Sequence, residues 1–369
     1  MKSTEIKKKY KVGVVGATGM VGQRFVSLLE NHPWFELTVV AASKRSAGKP
    51  YEECVADRWM MSSPIPQGAA ALIVKNAVKD VAEIADSVDF VFSAVDMTEE
   101  ETAGLEEAYA KAECPVVSNN KAHRKTPDVP MVVPELNPEH LSVLEYQRKR
   151  LGTARGFVAV KSNCSILSYV PALHPLKDEF GISRVLACTY QAISGASKTF
   201  EYMPEMVDNV IPYIGGGEEE KSEQEPLKIW GSIENGVIIP ASKPLITAQC
   251  IRVPVSDGHL AAVFVSFDKK PSKEQIIKRW AEFEGAPQRL QLPSAPKQFL
   301  NYFEENDRPQ TKLDRMLENG MAVSMGRLRE DTQFDYKFVG LSHNTLRGAA
   351  GGAVLLAELL CAEGYLFTK

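Results

Sequence analysis

Residues 12–22 read VGVVGATGMVG. A short apolar strand runs into Gly16, Gly19 and Gly22, and MVGQRFVSLLENH then places Val21, Phe25, Leu28 and Leu29 on one helical face. Strand, glycine turn and helix together let a backbone approach a pyrophosphate closely. The helix start offers it free N–H groups and the positive end of a dipole. Gly16, Thr18, Gly19, Met20 and Val21 are the expected phosphate-loop contacts. The plainer alternative is a tight turn whose glycines serve packing alone.

The next strand, FELTVVAAS, sharpens the expectation. Sites for NAD commonly carry an acid at its carboxyl end to hold the ribose 2′-hydroxyl. Here the strand ends VVAASKRSAGK, and Glu36 lies at the other end. Ser43, Lys44, Arg45 and Ser46 stand where the acid would be, and cations with hydroxyls suit a 2′-phosphate. NADP is the expected cofactor, with a solvated basic loop as the alternative.

Beyond this point strands (DFVFSAV, CPVVSNN) alternate with helical stretches such as TEEETAGLEEAYAKAE. That series predicts right-handed crossovers and a parallel sheet covered on both faces. Near residue 160 the character changes. VLACTYQAISGA, IIPASKPLITAQCIRVPV and HLAAVFVSFDK are longer β-rich runs, which predict an α+β unit on a mostly antiparallel sheet. The fold class expected is α/β, a Rossmann-type dinucleotide-binding domain (1–160 with a returning C-terminal helix, 344–369) and a catalytic and dimerisation α+β domain (161–343).

A chain of 369 residues is long enough for two such domains. Its net charge of −4 gives no basic face for nucleic acid or an anionic membrane. No apolar run approaches the roughly 20 residues of a membrane span. The Lys-rich start, MKSTEIKKKY, has no apolar stretch or cleavage site behind it, so it reads as a solvated lead-in and the expected location is the cytoplasm. Cys54, Cys114, Cys164, Cys188, Cys250 and Cys361 form no CxxC pair, and no His/Cys cluster has metal-ligand spacing. In a reducing compartment most should be free and inert, and no metal is expected.

Cys164 differs by its surroundings. It follows Ser162 and Asn163, both good N-cap residues, and precedes an apolar run, so a helix dipole would favour its thiolate. Pro171 and Pro175 shorten or kink that helix. CIRVPVSDGHLAAV supplies what a nucleophile needs: Arg252 to grip a carboxylate, and His259 to take the thiol proton and return it. A strand-start histidine bonded to backbone is the alternative for His259.

These residues, with GATGMVGQRFV, SNNKAHR, VPELNPEHL, SNCSI, TYQAISGA, IRVPVSDGH and HNTLRGAAGGAVLLAELL in that order, resemble the aspartate-semialdehyde dehydrogenases, the archaeal and fungal branch more than the common bacterial one. The resemblance runs over nearly the whole chain. It implies Cys164 as nucleophile, His259 as acid/base and Gln191 beside the thioester. It implies Arg252 on the substrate carboxylate and Arg124 on phosphate. Glu225 and Lys228, in EQEPLKIWG, match an E-x-x-K pair for the amino group and phosphate. That segment is Glu-rich, so its register can slip, and a solvated acidic face is the alternative. Asn344 matches the residue near the nicotinamide amide. Ser93 and Gly195 complete the expected cofactor contacts, and Asn163 with the Cys164 N–H is the expected oxyanion donor set.

The implied reaction is NADPH-dependent reductive dephosphorylation of L-aspartyl-4-phosphate through a cysteine thioester, by a homodimer or homotetramer. It serves lysine, threonine, methionine and isoleucine biosynthesis. Malonyl-CoA reductase shares several blocks and would not need Glu225. A non-catalytic NADP-binding protein would be expected to break the set Cys164, Gln191, Arg252 and His259, which is intact here. A thiol hydrolase or acyltransferase would leave the glycine loop unexplained.

Overall fold

The computed structural model describes residues 8–369, so most of the lysine-rich lead-in lies outside the described residues. Six strands form a wholly parallel sheet: β1 (Tyr10–Val15), β2 (Phe35–Ala42), β3 (Lys75–Asn76), β4 (Phe90–Ser93), β5 (Val116–Ser118) and β6 (Val158–Val160). Their order is β3-β2-β1-β4-β5-β6, that of a dinucleotide-binding sheet. Alternation explains its two covered faces. Val12, Val14, Phe90 and Phe92 pack under helix Met20–Leu29 and the C-terminal helix Gly351–Ala362. Val15, Val91 and Val116 point the other way, into a core shared with the second sheet.

The second sheet contains β7 (Ile182–Gln191), β10 (Leu245–Arg252), β11 (His259–Phe267), β12 (Leu300–Phe303), β13 (Val323–Glu330) and β14 (Tyr336–Ser342). Its order is β10-β7-β11-β14-β13-β12. The three inner pairings are antiparallel, whereas β10 runs parallel to β7 and β12 to β13. The long run 238–255 is not one strand. Pro240 and Pro244 divide it, leaving β9 (Val237–Ile239) in a hairpin with β8 (Ser232–Glu234), and β10 beyond.

The two sheets meet end to end around Cys164. Gly16, Ser93 and Ser118 mark carboxyl ends of parallel strands. On the facing side, Gln191 and Arg252 end β7 and β10 as direct partners, and His259 starts β11 opposite Ser342 at the end of β14. The chain between β6 and helix Val170–Phe180 bridges the two sets and carries Cys164. Among the described residues no helix is long and apolar enough to cross a membrane.

Candidate active site

The phosphate loop is shaped by two of its glycines. Gly16 has φ +89°, and a Cβ there would fall 2.2 Å from the Ala94 carbonyl oxygen. A Cβ on Gly22 would fall 2.1 Å from the Gly16 carbonyl oxygen, so the turn and the helix start touch directly. Gly19 differs: nothing comes nearer than 3.8 Å to its missing Cβ, which leaves the helix start open to a ligand. Thr18 and Met20 flank it, and the Thr18 carbonyl accepts from Gln23 Nε2 at 3.1 Å. The loop after β2 exposes Ser43 and Arg45 and buries Ser46. Arg45, Ser46, Lys49 and Arg58 surround a cavity of about 320 Å³ that Glu53 and Asp57 also reach. Open helix start, close backbone and basic loop together fit a dinucleotide with a 2′-phosphate.

A cavity of about 520 Å³ joins this loop to the second sheet and brings together Val21, Arg124, Cys164, Gln191, Arg252 and Asn344. Ser93 is buried behind it, accepting from Asn120 Nδ2 at 3.0 Å, and the residues after it, Val95 to Met97, form the wall. Gly195 lies over the catalytic pair. A side chain there would come 2.8 Å from Arg252 Nη1 and 3.0 Å from His259 Nε2.

Cys164 Sγ lies 3.4 Å from His259 Nε2. The Ala192 backbone N–H donates to His259 Nδ1 at 3.1 Å. Nδ1 is thus an acceptor, and the neutral ring carries its proton on Nε2, facing the sulfur. Burial first, and Arg252 second, push the His259 pKa down to about 3. The expectation that His259 takes the thiol proton is therefore corrected: the resting ring is a donor toward Cys164 and whatever is bonded to it.

The expected helix dipole at Cys164 is also corrected. Cys164 opens a four-residue 3-10 turn, Ser165–Ser168, and Tyr169 breaks it (φ −141°) before the helix starts. So short a turn carries little macrodipole. Burial, then the Glu218 carboxylate, push the thiol pKa up.

Asn163 lines the cavity but builds the loop. Its backbone N–H goes to Glu225 Oε2 at 2.5 Å, its Nδ2 to Glu218 Oε1 at 3.1 Å, and its Oδ1 accepts from Ser165 N at 2.7 Å. Its expected role as an oxyanion donor gives way to positioning. Asn344 is similarly tied, donating to Ser194 Oγ at 2.8 Å and accepting from Gly258 N at 2.8 Å, while still facing the cavity.

The E-x-x-K pair shifts by two helical turns. Helix Glu218–Ile229 contains the motif twice, Glu218/Lys221 and Glu225/Lys228. Lys228 Nζ donates to the carbonyls of Arg124, Thr126 and Val129 at 2.7, 2.8 and 3.0 Å, so all three of its protons are spent. It faces a neighbouring cavity, without Cys164. Glu225 Oε1 accepts from Arg124 Nη1 at 3.0 Å, which orients the arginine. By contrast, Glu218 and Lys221 line the Cys164 cavity. Glu218 Oε1 accepts from Gln191 Nε2 at 3.2 Å, and its other oxygen pairs with Lys221 at 2.6 Å. Burial works to raise the Glu218 pKa, but Lys221 and the two amide donors outweigh it and hold it below the ordinary value. Pro226 fits inside this helix because the Ser222 carbonyl it cannot bond receives the Tyr169 hydroxyl at 2.5 Å.

Arg252 Nη1 donates to the Ala192 carbonyl at 2.7 Å. The guanidinium has no carboxylate partner among the described residues, which leaves it free to grip one from a substrate. Lys161, a buried lysine on the same cavity, has no motif or spacing that singles it out.

Comparison with known proteins agrees with this geometry. Residues 11–144 match the semialdehyde dehydrogenase NAD-binding domain and residues 173–347 the semialdehyde dehydrogenase dimerisation domain. The chain is 44% identical over 362 residues to the aspartate-semialdehyde dehydrogenase of Schizosaccharomyces pombe, covering 96% of this chain and 99% of that protein. It is 43% identical over 355 residues to that of Methanothermobacter thermautotrophicus, covering 95% and 98%. The crystal structure of the Candida albicans enzyme with NADP superposes with a TM-score of 0.87 at 39% identity, covering 97% and 100%. Two matched domains and full-length fungal and archaeal relatives agree: the chain belongs to the aspartate-semialdehyde dehydrogenase family.

Proposed function

We propose how this chain carries out the reaction of its family, the NADP-dependent interconversion of L-aspartyl-4-phosphate and L-aspartate 4-semialdehyde. The observation that carries the assignment is the contact of Cys164 Sγ with His259 Nε2 in a cavity shared with Arg252 and Arg124. Arg252 holds the substrate α-carboxylate. Glu218 takes the amino group, and Arg124 with Lys221 takes the phosphate. Cys164 attacks the acyl carbon and expels phosphate. When bound, NADPH supplies the hydride that reduces the resulting thioester. The proton on His259 Nε2 meets the oxyanion of the thiohemiacetal, since the ring already points that proton at the sulfur. Gln191, held by Glu218, keeps the thioester in line. A carboxylate resists hydride and a thioester accepts it, which is why the covalent step is needed.

Residues 1–160 with 344–369 form the cofactor unit in this reading, and 161–343 the catalytic and dimerisation unit. The matched dimerisation domain fits a homo-oligomer. Val207, Val210 and Tyr213 are exposed in a segment that docks on Arg252 through Ile211, an apolar edge suited to a second copy in a homodimer or homotetramer. The substrates are small molecules and the expected compartment is the cytoplasm.

The test is oxidation of L-aspartate semialdehyde followed as reduced cofactor. Turnover that requires phosphate and prefers NADP over NAD is expected. A folded, NADP-binding protein without turnover would refute the assignment. The shifted motif makes its own prediction. Lys221→Met should raise the KM for phosphate about tenfold, the equivalent of one lost charge-assisted contact, with a smaller fall in melting temperature than Lys228→Met gives, since Glu218 keeps its two amide donors. Lys228→Met should lower the melting temperature more, because it strands three buried carbonyls at about 1–3 kcal/mol each. The reverse pattern would restore the later pair to the substrate.

A further inference from the structure

Lys161 follows β6 directly and is 4% exposed. Its ammonium donates to the Gly348 carbonyl. Gly348 in turn lies against the nucleophile: a Cβ on it would come within 2.7 Å of Cys164 Cβ. One residue therefore touches both the lysine and the cysteine, and both line the same cavity.

The thiol needs such a neighbour. Its 3-10 turn is too short for a useful dipole, and His259 Nε2 already holds a proton. The other cations are engaged or destined elsewhere. Arg124 is paired with Glu225, and Lys221 with Glu218. Arg252 loses its free charge once a substrate carboxylate binds. Lys161 has no carboxylate partner among the described residues, and the nearby Arg347 is spent on Glu135.

We propose that Lys161 is the counter-cation of the Cys164 thiolate, a positioning residue acting through the sulfur. The S–H bond breaks, its proton leaves to solvent in the cavity, and the sulfur keeps the bonding pair as a thiolate facing the ammonium held at the Gly348 carbonyl. Burial, then Arg124, bring the Lys161 pKa down to about 7, while Cys164 and Glu225 pull it up. At Cys164, Glu218 opposes the thiolate, and Lys161, Arg124 and Arg252 favour it in that order. The two titrations are reciprocal: each charge promotes the other. This inference rests on Cys164 being the attacking thiol.

Alkylation by iodoacetamide reads the thiolate without substrate, so its outcome is separate from whether aspartate semialdehyde is turned over. The full-length protein is alkylated across a pH series, and the Cys164 peptide is quantified by mass spectrometry. In Lys161→Met the inflection should rise by about one pH unit or more, with about a tenfold slower reaction at pH 7, while NADPH binding is retained. Lys161→Arg keeps a permanent cation and should inflect at or below the wild-type pH. A Lys161→Met profile superimposed on wild type overturns the proposal, as does loss of turnover without a shift in that profile. Should Lys161→Met fail to fold, Lys161→Arg decides alone: an inflection above wild type overturns the proposal.

Discussion

Cys164→Ser should lower kcat/KM for aspartate semialdehyde by at least about 10⁴-fold, with NADP binding and melting temperature unchanged. The magnitude follows from where the barrier lies. A serine hydroxyl ionises far above a thiol and would yield an ester, a poorer hydride acceptor than a thioester. Nothing near the site is built to activate it, because His259 points a proton, and no lone pair, at that position. The change is nearly isosteric, so the 3-10 turn and the bond from Ser165 N to Asn163 Oδ1 should survive. Steady-state rates, with a titration of NADPH fluorescence as the folding control, check both halves. A drop of less than about tenfold would mean that the chemistry does not pass through this sulfur.

Much of the molecule is legible from local pattern. The loop 16–22 follows from a strand, glycines and a helix written side by side, and the capping box at Thr98 and Glu101 marks the helix Glu99–Lys111 in the same way. Arg252 and His259 can be picked out because they flank a turn between two β-rich runs, whereas Gln191 is reached only through the family resemblance. What escapes is decided by distant segments. Glu218/Lys221 and Glu225/Lys228 are seven residues apart, nearly two full helical turns, so both pairs occupy one face and periodicity cannot choose between them. Proximity chooses: Glu218 stands in the first turn, where Asn163 and Gln191 reach it, and Lys228, nearly three turns on, meets only carbonyls. A usable signal was the glycine run 215–217, which ends at the cavity just before Glu218.

The tautomer of His259 is likewise invisible in sequence. It depends on one N–H, that of Ala192, 67 residues away and placed by the end of β7. The packing of Cys164 and the hydrogen bond of Lys161 depend on Gly348, brought in by the irregular segment Leu346–Ala350 ahead of the last helix. In each case residue type and spacing identify the chemistry, and the direction in which a proton moves is set by a backbone group from another part of the chain.

That segment is anchored by the second large effect. Arg347 donates both terminal nitrogens to the Glu135 carboxylate, Nη1 to Oε1 at 2.8 Å, and its guanidinium lies 4.5 Å from the centre of the Phe299 ring. The side chains are 1% and 0% exposed, so neither charge has water to fall back on. Glu135→Leu should cost about 3–5 kcal/mol, the penalty for stranding a buried guanidinium. Arg347→Met should cost a similar amount by stranding the carboxylate. The double variant Glu135→Leu with Arg347→Met should be more stable than either single one, because replacing both charges removes the desolvation as well as the attraction. Denaturant midpoints for the four proteins complete the cycle, and additive losses would show that the pair is not coupled. Since Gly348 follows Arg347 directly and packs on Cys164, the single variants should also slow alkylation of that thiol under conditions where the protein remains folded.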